Sequence, residues 1–209
     1  FEKFKELNFN RFIDRFNLKT EQKEKDISEL VKIDEIDIER VEELINKVRK
    51  SKQLVYLLEK QDCTDNTKII KKKIKSISIY IEEENKSYHL RINEQKFAEK
   101  FKSIFEDTKI KKYGYHLAED YVILKQLGID CKNICYDLKI ASYDLNPTSS
   151  NLSIENIANQ YLNIDLDDYL GKYEESKKES KQINLFQEEE NHENSKYIYG
   201  FKTYIIKKL

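Results

Sequence analysis

Residues 53–59 read Gln-Leu-Val-Tyr-Leu-Leu-Glu, with five consecutive apolar side chains, Leu54 to Leu58, between polar flanks. A strand sends successive side chains to opposite sides, so an unbroken apolar run needs cover on both faces. The segment therefore predicts a central strand with packed layers above and below it. Downstream, "KSISIYI" alternates, with Ile77, Ile79 and Ile81 on one face; the polar turn "EEENK" and a second alternating run, "SYHLRI", follow. That pattern predicts a hairpin beside the central strand.

Helical spacing surrounds these strands. "IDIERVEELINKVRK" places Ile38, Val41, Leu44, Ile45 and Val48 on one face, and residues 94–106 turn Phe97, Phe101, Ile104 and Phe105 inward. A short strand in "KIKKYG", a helix over 116–127 stopped by Gly128, and an extended piece at 133–136 come next. Asp137 is placed to cap a helix that ends at Pro147, and Ser153 to cap another, with Leu152 and Ile157 as its hydrophobic staple. The order predicts an α/β domain with a mixed sheet over residues 37–209. Residues 1–36 read as an arm and connector, with Phe1, Phe4, Phe9, Phe12 and Phe16 at helical spacing before a charged stretch at 18–36. Residues 172–195 read as a polar, mobile loop, and 196–209 as a last helix with Ile198, Phe201, Ile205 and Leu209 on one stripe.

Composition narrows the function classes. Lys and Arg (38) nearly cancel Asp and Glu (39), so there is no global basic footprint for nucleic acid. The clusters "KKKIK" (71–75) and "KIKK" (109–112) are expected to be solvated charged faces. Cys63, Cys131 and Cys135 make no disulfide framework, and Cys131 with Cys135 lacks the second ligand pair of a zinc site. No apolar run approaches the ~20 residues of a membrane span. A reduced, cytoplasmic setting without membrane contact is expected. The sequence begins at Phe1 and contains no methionine, so it is expected to be a piece of a longer protein. His89, His116 and His192 stand in unlike contexts, and no Gly-rich phosphate loop or nucleophile motif is present.

One residue breaks the pattern. Wound as a helix, "HLAEDYVILKQLGI" forms an apolar arc of Leu117, Tyr121, Ile123, Leu124 and Leu127 with Asp120 in its middle. A carboxylate facing a core needs a partner, because its uncompensated burial costs several kcal/mol. Backbone N–H groups at the helix start, an ion pair or a metal ion would serve.

The stretch "KKYGYHLAEDYVILKQLGIDCKNICYDLKIASYDLNP" followed by "LSIENIANQYLN" resembles the 3′–5′ exonuclease (proofreading) domain of bacterial DNA polymerase I, the family A polymerases. In that family a strand ends in Gly, then come an Asn-Leu-x-x-Asp helix, a Phe-Asp-Thr turn and a helix reading roughly Leu-Ala-Ser-Tyr-Leu-Leu-Asp-Pro. Here the same places hold Gly114, His116-Leu117 and Asp120, Tyr136-Asp137-Leu138, and Ile140-Ala141-Ser142-Tyr143 through Asn146-Pro147. The resemblance implies a ribonuclease H-like fold, with the arm at 1–17 similar to the segment that joins a preceding 5′-nuclease domain.

In active members it also implies two divalent metal ions held by four carboxylates, which clamp the attacking and leaving oxygens. Aligned on the family, two of these positions fall on Leu58 and Lys60, the third on Asp120, and the fourth, in a Tyr-x-x-x-Asp pattern begun by Tyr197, on Phe201. Only Asp120 is acidic. The expectation is a degenerate domain without nuclease activity or bound metal, a monomeric scaffold that reaches DNA through the parent polymerase and contacts its polymerase and 5′-nuclease parts. The alternatives are an active Mg- or Mn-dependent nuclease with a site rearranged onto Glu59, Asp62, Asp120 and Asp137, or a non-catalytic DNA-binding module. Asp120 itself is expected to accept backbone N–H groups or to pair with Lys60.

Overall fold

The computed structural model describes residue 3 and residues 30–62, 72–166 and 187–209, with the backbone alone at 62 and 187–194. The chain divides into two compact units, Phe1–Leu30 and Val31–Leu209, and the fold described here is that of the second. Its sheet has six strands: β1 (Lys32–Glu35), β2 (Gln53–Asp62), β3 (Lys72–Ile81), β4 (Lys86–Arg91), β5 (Lys111–Gly114) and β6 (Ile134–Asp137), in the order β1-β4-β3-β2-β5-β6. β2, β3 and β4 are antiparallel, whereas β5 and β6 extend β2 in parallel and β1 runs parallel to β4. The helices are α1 (Val41–Ser51), α2 (Glu94–Glu106), α3 (Leu117–Gln126), α4 (Leu138–Leu145), α5 (Ile154–Ile157), which continues into a wider turn over Ala158–Leu162, and α6 (Gln187–Lys208). This is the mixed α/β architecture expected from the sequence.

Strand register assigns the two faces. Tyr56 lies opposite Ile79 and Leu58 opposite Ile77, and this face shares one core with Val41, Leu44, Ile45 and Val48 of α1, the phenylalanines of α2, and Leu117, Ile123 and Leu124 of α3. Tyr56 meets Phe105 edge to face at 5.0 Å. On the other face Val55 lies opposite Tyr80, whose ring packs on Tyr204 of α6 at 5.7 Å. Leu54 to Leu58 are all buried, as the apolar run requires. The cover on this second face also buries Ser76, Ser78, Ser87 and His89, the polar positions of the hairpin. Ser87 Oγ donates to the Gly200 carbonyl at 2.6 Å, tying the sheet to α6.

Four local expectations are corrected. The connector read over 18–36 ends earlier, because β1 lies inside it, flanked by the buried Val31 and Ile36. Four residues with three charges show no period, and only pairing with β4, aided by the ion pairs Lys86–Asp34 and Arg91–Glu35, makes them a strand. Within the loop read over 172–195, the chain is already helical from Gln187, while 172–186 lie outside the described residues, as do the phenylalanines of the arm at 1–17 and Cys63. Lys112 of the "KIKK" cluster is wholly buried rather than solvated, donating to the carbonyls of Asp107 and Ile110. Tyr121 turns outward from the apolar arc of α3. Among the described residues no helix is long and apolar enough to cross a membrane.

Gly200 lets α6 approach the β1 edge. A Cβ there would stand 2.7 Å from Ile33 Cγ2. Gly200→Val is expected to cost about 2 kcal/mol through overpacking, read as a fall in Tm, and Ile33→Ala in the same chain should recover part of it.

Candidate functional site

The parallel trio β2, β5 and β6 brings the later half of β2, Gly114 and Asp137 to one end of the sheet, where α3 begins. Gly114 is demanded there: a Cβ would lie 2.4 Å from Leu117 Cδ2 and 3.3 Å from the Tyr56 carbonyl oxygen. Asp137 caps α4 by accepting the Lys139 N–H at 2.9 Å, as its position predicts. The same carboxylate also accepts the N–H groups of His116 at 2.9 Å and Leu117 at 2.7 Å, so it caps α3 as well. Sequence spacing gave no sign of this second role, because its partners lie about twenty residues upstream, on the neighbouring strand's loop.

With those donors taken by Asp137, Asp120 finds a different partner. It is 1% exposed, and Lys60 Nζ donates to its Oδ1 at 2.7 Å. The same ammonium donates to Glu119 Oε2 at 2.6 Å, and Lys72 Nζ lies 2.7 Å from Glu119 Oε1. The strand register slips between Glu59 and Lys60, where β3 carries Lys75 as an extra residue, and Lys60 then lies opposite Ile74 on the α3 side. Of the two partners weighed for Asp120, the structure selects Lys60; Glu119 was not foreseen, although its position beside Asp120 in the first turn of α3 was the available signal.

The electrostatics of the pair differ sharply. Burial lifts the Asp120 carboxyl to about 6, against the pull of Lys60, with Glu119 and Asp137 adding to the rise. Burial would lift Glu119 too, but hydrogen bonds from Lys60 and Lys72 hold it down at about 2. Burial pulls the Lys60 pKa down, yet Asp120 and Glu119 outweigh it and leave the ammonium above its ordinary range. The Tyr56 phenol, buried beside the cluster, is pushed well above 10 by desolvation and then by the Asp120 charge. Asp120 Oδ2 is buried and makes no well-formed hydrogen bond among the described residues.

Among the described residues, the remaining candidate positions do not gather into one cluster of metal-binding side chains. Leu58 belongs to the core under α1–α3, and Phe201 of α6 is fully buried, its ring 5.7 Å from that of Tyr204. Of the rearranged set, Glu59 faces the α6 side, where Ser76 Oγ and Ser195 Oγ donate to its Oε2 at 2.6 and 2.9 Å. Asp137 has both oxygens engaged by backbone N–H groups, and the Asp62 side chain lies outside the described residues. Among the described residues no three His, Cys, Asp or Glu side chains come together to hold a metal ion. Cys131 and Cys135 are free thiols, the first buried and the second exposed. A two-cation site needs several oxygen anions around each ion. One buried carboxylate already bound to an ammonium does not fit that demand.

His89 lies under α6 with Nδ1 2.8 Å from Ser78 Oγ. Burial drives its pKa down to about 4, with Arg91 and Lys196 contributing and Glu59 opposing. An unfolded His binds its proton near 6.5, so stability from the neutral ring is complete above that pH and is lost as pH falls toward 4. Urea titrations are expected to show about 3 kcal/mol lost across this window in excess of His89→Gln, in which the dependence flattens.

Residues 67–170, about half of the chain, match the family model described as DNA polymerase I, ribonuclease H-like domain. Among solved structures, RNase D from Trypanosoma brucei in complex with RNA U12 superposes with a TM-score of 0.60 at 13% identity, covering 85% of this chain and 62% of that one. The RNase D: GMP complex from the same organism gives 0.60 at 12% identity over 82% and 54% of the two chains. The chain thus spans less than two thirds of these RNase D chains, and at such identity the likeness concerns the fold. The family-model match, together with the residues around Gly114, Asp120 and Asp137, places the chain in the ribonuclease H-like domain family of DNA polymerase I.

Proposed function

We propose that this domain has no nuclease activity and serves as a structural scaffold within a DNA polymerase, reaching DNA through the polymerase part and packing on its neighbouring domains. The observation that carries the proposal is Lys60: an ammonium lies 2.7 Å from the retained Asp120, where active relatives are expected to hold metal ions with a carboxylate. Leu58 and Phe201, at two further carboxylate positions, are core side chains. A hydrated dication would have to displace the lysine and bind a site with too few anions. Apolar surface for a neighbouring domain is available on α4, where Ile140, Tyr143 and Leu145 are exposed. The setting proposed is cytoplasmic, and the work that of DNA replication or repair.

The test is removal of 3′ nucleotides from single-stranded DNA in excess Mn²⁺ or Mg²⁺, with Asp120→Ala as control. Equal background release by both proteins is expected. Metal-dependent release that disappears in Asp120→Ala would overturn the proposal.

A further inference from the structure

We infer that the Lys60 ammonium is the resident cation of this domain, and that removing it opens a site for one hard divalent cation between Asp120 and Glu119. The inference rests on the proposed lack of a working metal centre and explains what replaced it. Lys60 Nζ stands 2.6 Å from Glu119 Oε2 and 2.7 Å from Asp120 Oδ1, bridging the carboxylates of adjacent residues as a metal ion would. Asp120 is 1% exposed, and its second oxygen makes no well-formed hydrogen bond among the described residues, its polar neighbour being the Tyr56 phenol, so acceptor capacity is left over. Lys60 pairs with both carboxylates, and Lys72 with Glu119 as well. Deleting the Lys60 charge leaves Glu119 paired with Lys72 and Asp120 without its ammonium, so that a dication can bind in exchange for the proton Asp120 then holds, in the volume vacated among oxygen ligands. Oxygen anions select hard cations such as Mg²⁺ and Mn²⁺, and so few of them suit weak, about millimolar, binding. In the native protein the lysine repels an incoming dication and occupies its place.

The experiment compares thermal unfolding of the full chain in EDTA and in about 10 mM Mn²⁺, a concentration set to exceed the binding expected of so few ligands. Wild type and Lys60→Arg, which keeps the charge, should show no shift. Lys60→Met should gain about 3 °C with Mn²⁺, and the gain should vanish in Lys60→Met/Asp120→Asn. Should Lys60→Met not fold in EDTA, recovery of folding on adding Mn²⁺ supports the inference. Lys60→Met that is blind to Mn²⁺, or that stays unfolded with Mn²⁺ while the double variant folds, overturns it. Cleavage by the wild type would sink the proposed lack of activity; Mn²⁺-blind Lys60→Met beside an inert wild type sinks only the resident-cation inference.

Discussion

Asp137→Ala is expected to destabilise the domain by about 3 kcal/mol, a large effect for one partly exposed residue. An ordinary N-cap loses one bond on truncation. Here three N–H groups, of His116, Leu117 and Lys139, converge on one carboxylate and would be left without it. The starts of α3 and α4 would both loosen, and with them the placement of Glu119 and Asp120. Asp137→Asn keeps one acceptor oxygen and should lose about half as much. For a chain of this size the alanine variant should unfold about 6–12 °C lower, and hydrogen exchange at these three amides should accelerate together. Loss confined to Lys139 would mean that Asp137 caps α4 alone.

Lys60→Met should be similarly costly, by about 3–5 kcal/mol at pH 8, because it strips the partner from a buried carboxylate. The cost depends on pH with a definite sign. Asp120 carries a folded pKa of about 6, above that of an unfolded aspartate, so its contribution to stability is complete at low pH and is lost as pH rises through that value. Without Lys60 the folded pKa climbs further, and the loss extends to higher pH. The gap between wild type and Lys60→Met should therefore be wide at pH 8 and narrow by pH 5, where Asp120 is mostly protonated in both. Glu119 limits the closure, since it keeps Lys72 but loses Lys60 at every pH above its own low pKa. Chemical denaturation at a series of pH values measures the gap directly; a gap independent of pH would mean that Lys60 acts through packing.

Much of this was legible in the sequence because it is local or periodic. The doubly buried β2, the β3–β4 hairpin, α2 with its phenylalanine face, and the caps Asp137 and Ser153 each write a short pattern that tertiary structure preserves. Asp120 announced itself as an acid in an apolar arc, and its partner Lys60 was within the expected set. What escaped depends on distant contacts. β1 is a strand only because β4 is there to pair with it, and His89 is buried only because α6 crosses the hairpin. The burial of Lys112 likewise follows from two carbonyls in the turn between α2 and β5, which a cluster of lysines does not reveal. At the site, Asp137's grip on α3 and Glu119's share of Lys60 are set by the β5–β6 pairing and by the extra residue in β3, features without a one-dimensional signature.

The central claim is that a lysine, not a metal ion, neutralises Asp120, and paramagnetic broadening tests it most directly. Amide spectra of the wild-type chain would be followed as Mn²⁺ is added to millimolar concentration. The expected result is weak broadening spread over exposed acidic residues, with the amides around Glu119, Asp120 and Asp137 no more affected than the rest. Selective, saturable broadening of those amides at low Mn²⁺ would contradict it and return the site to metal chemistry.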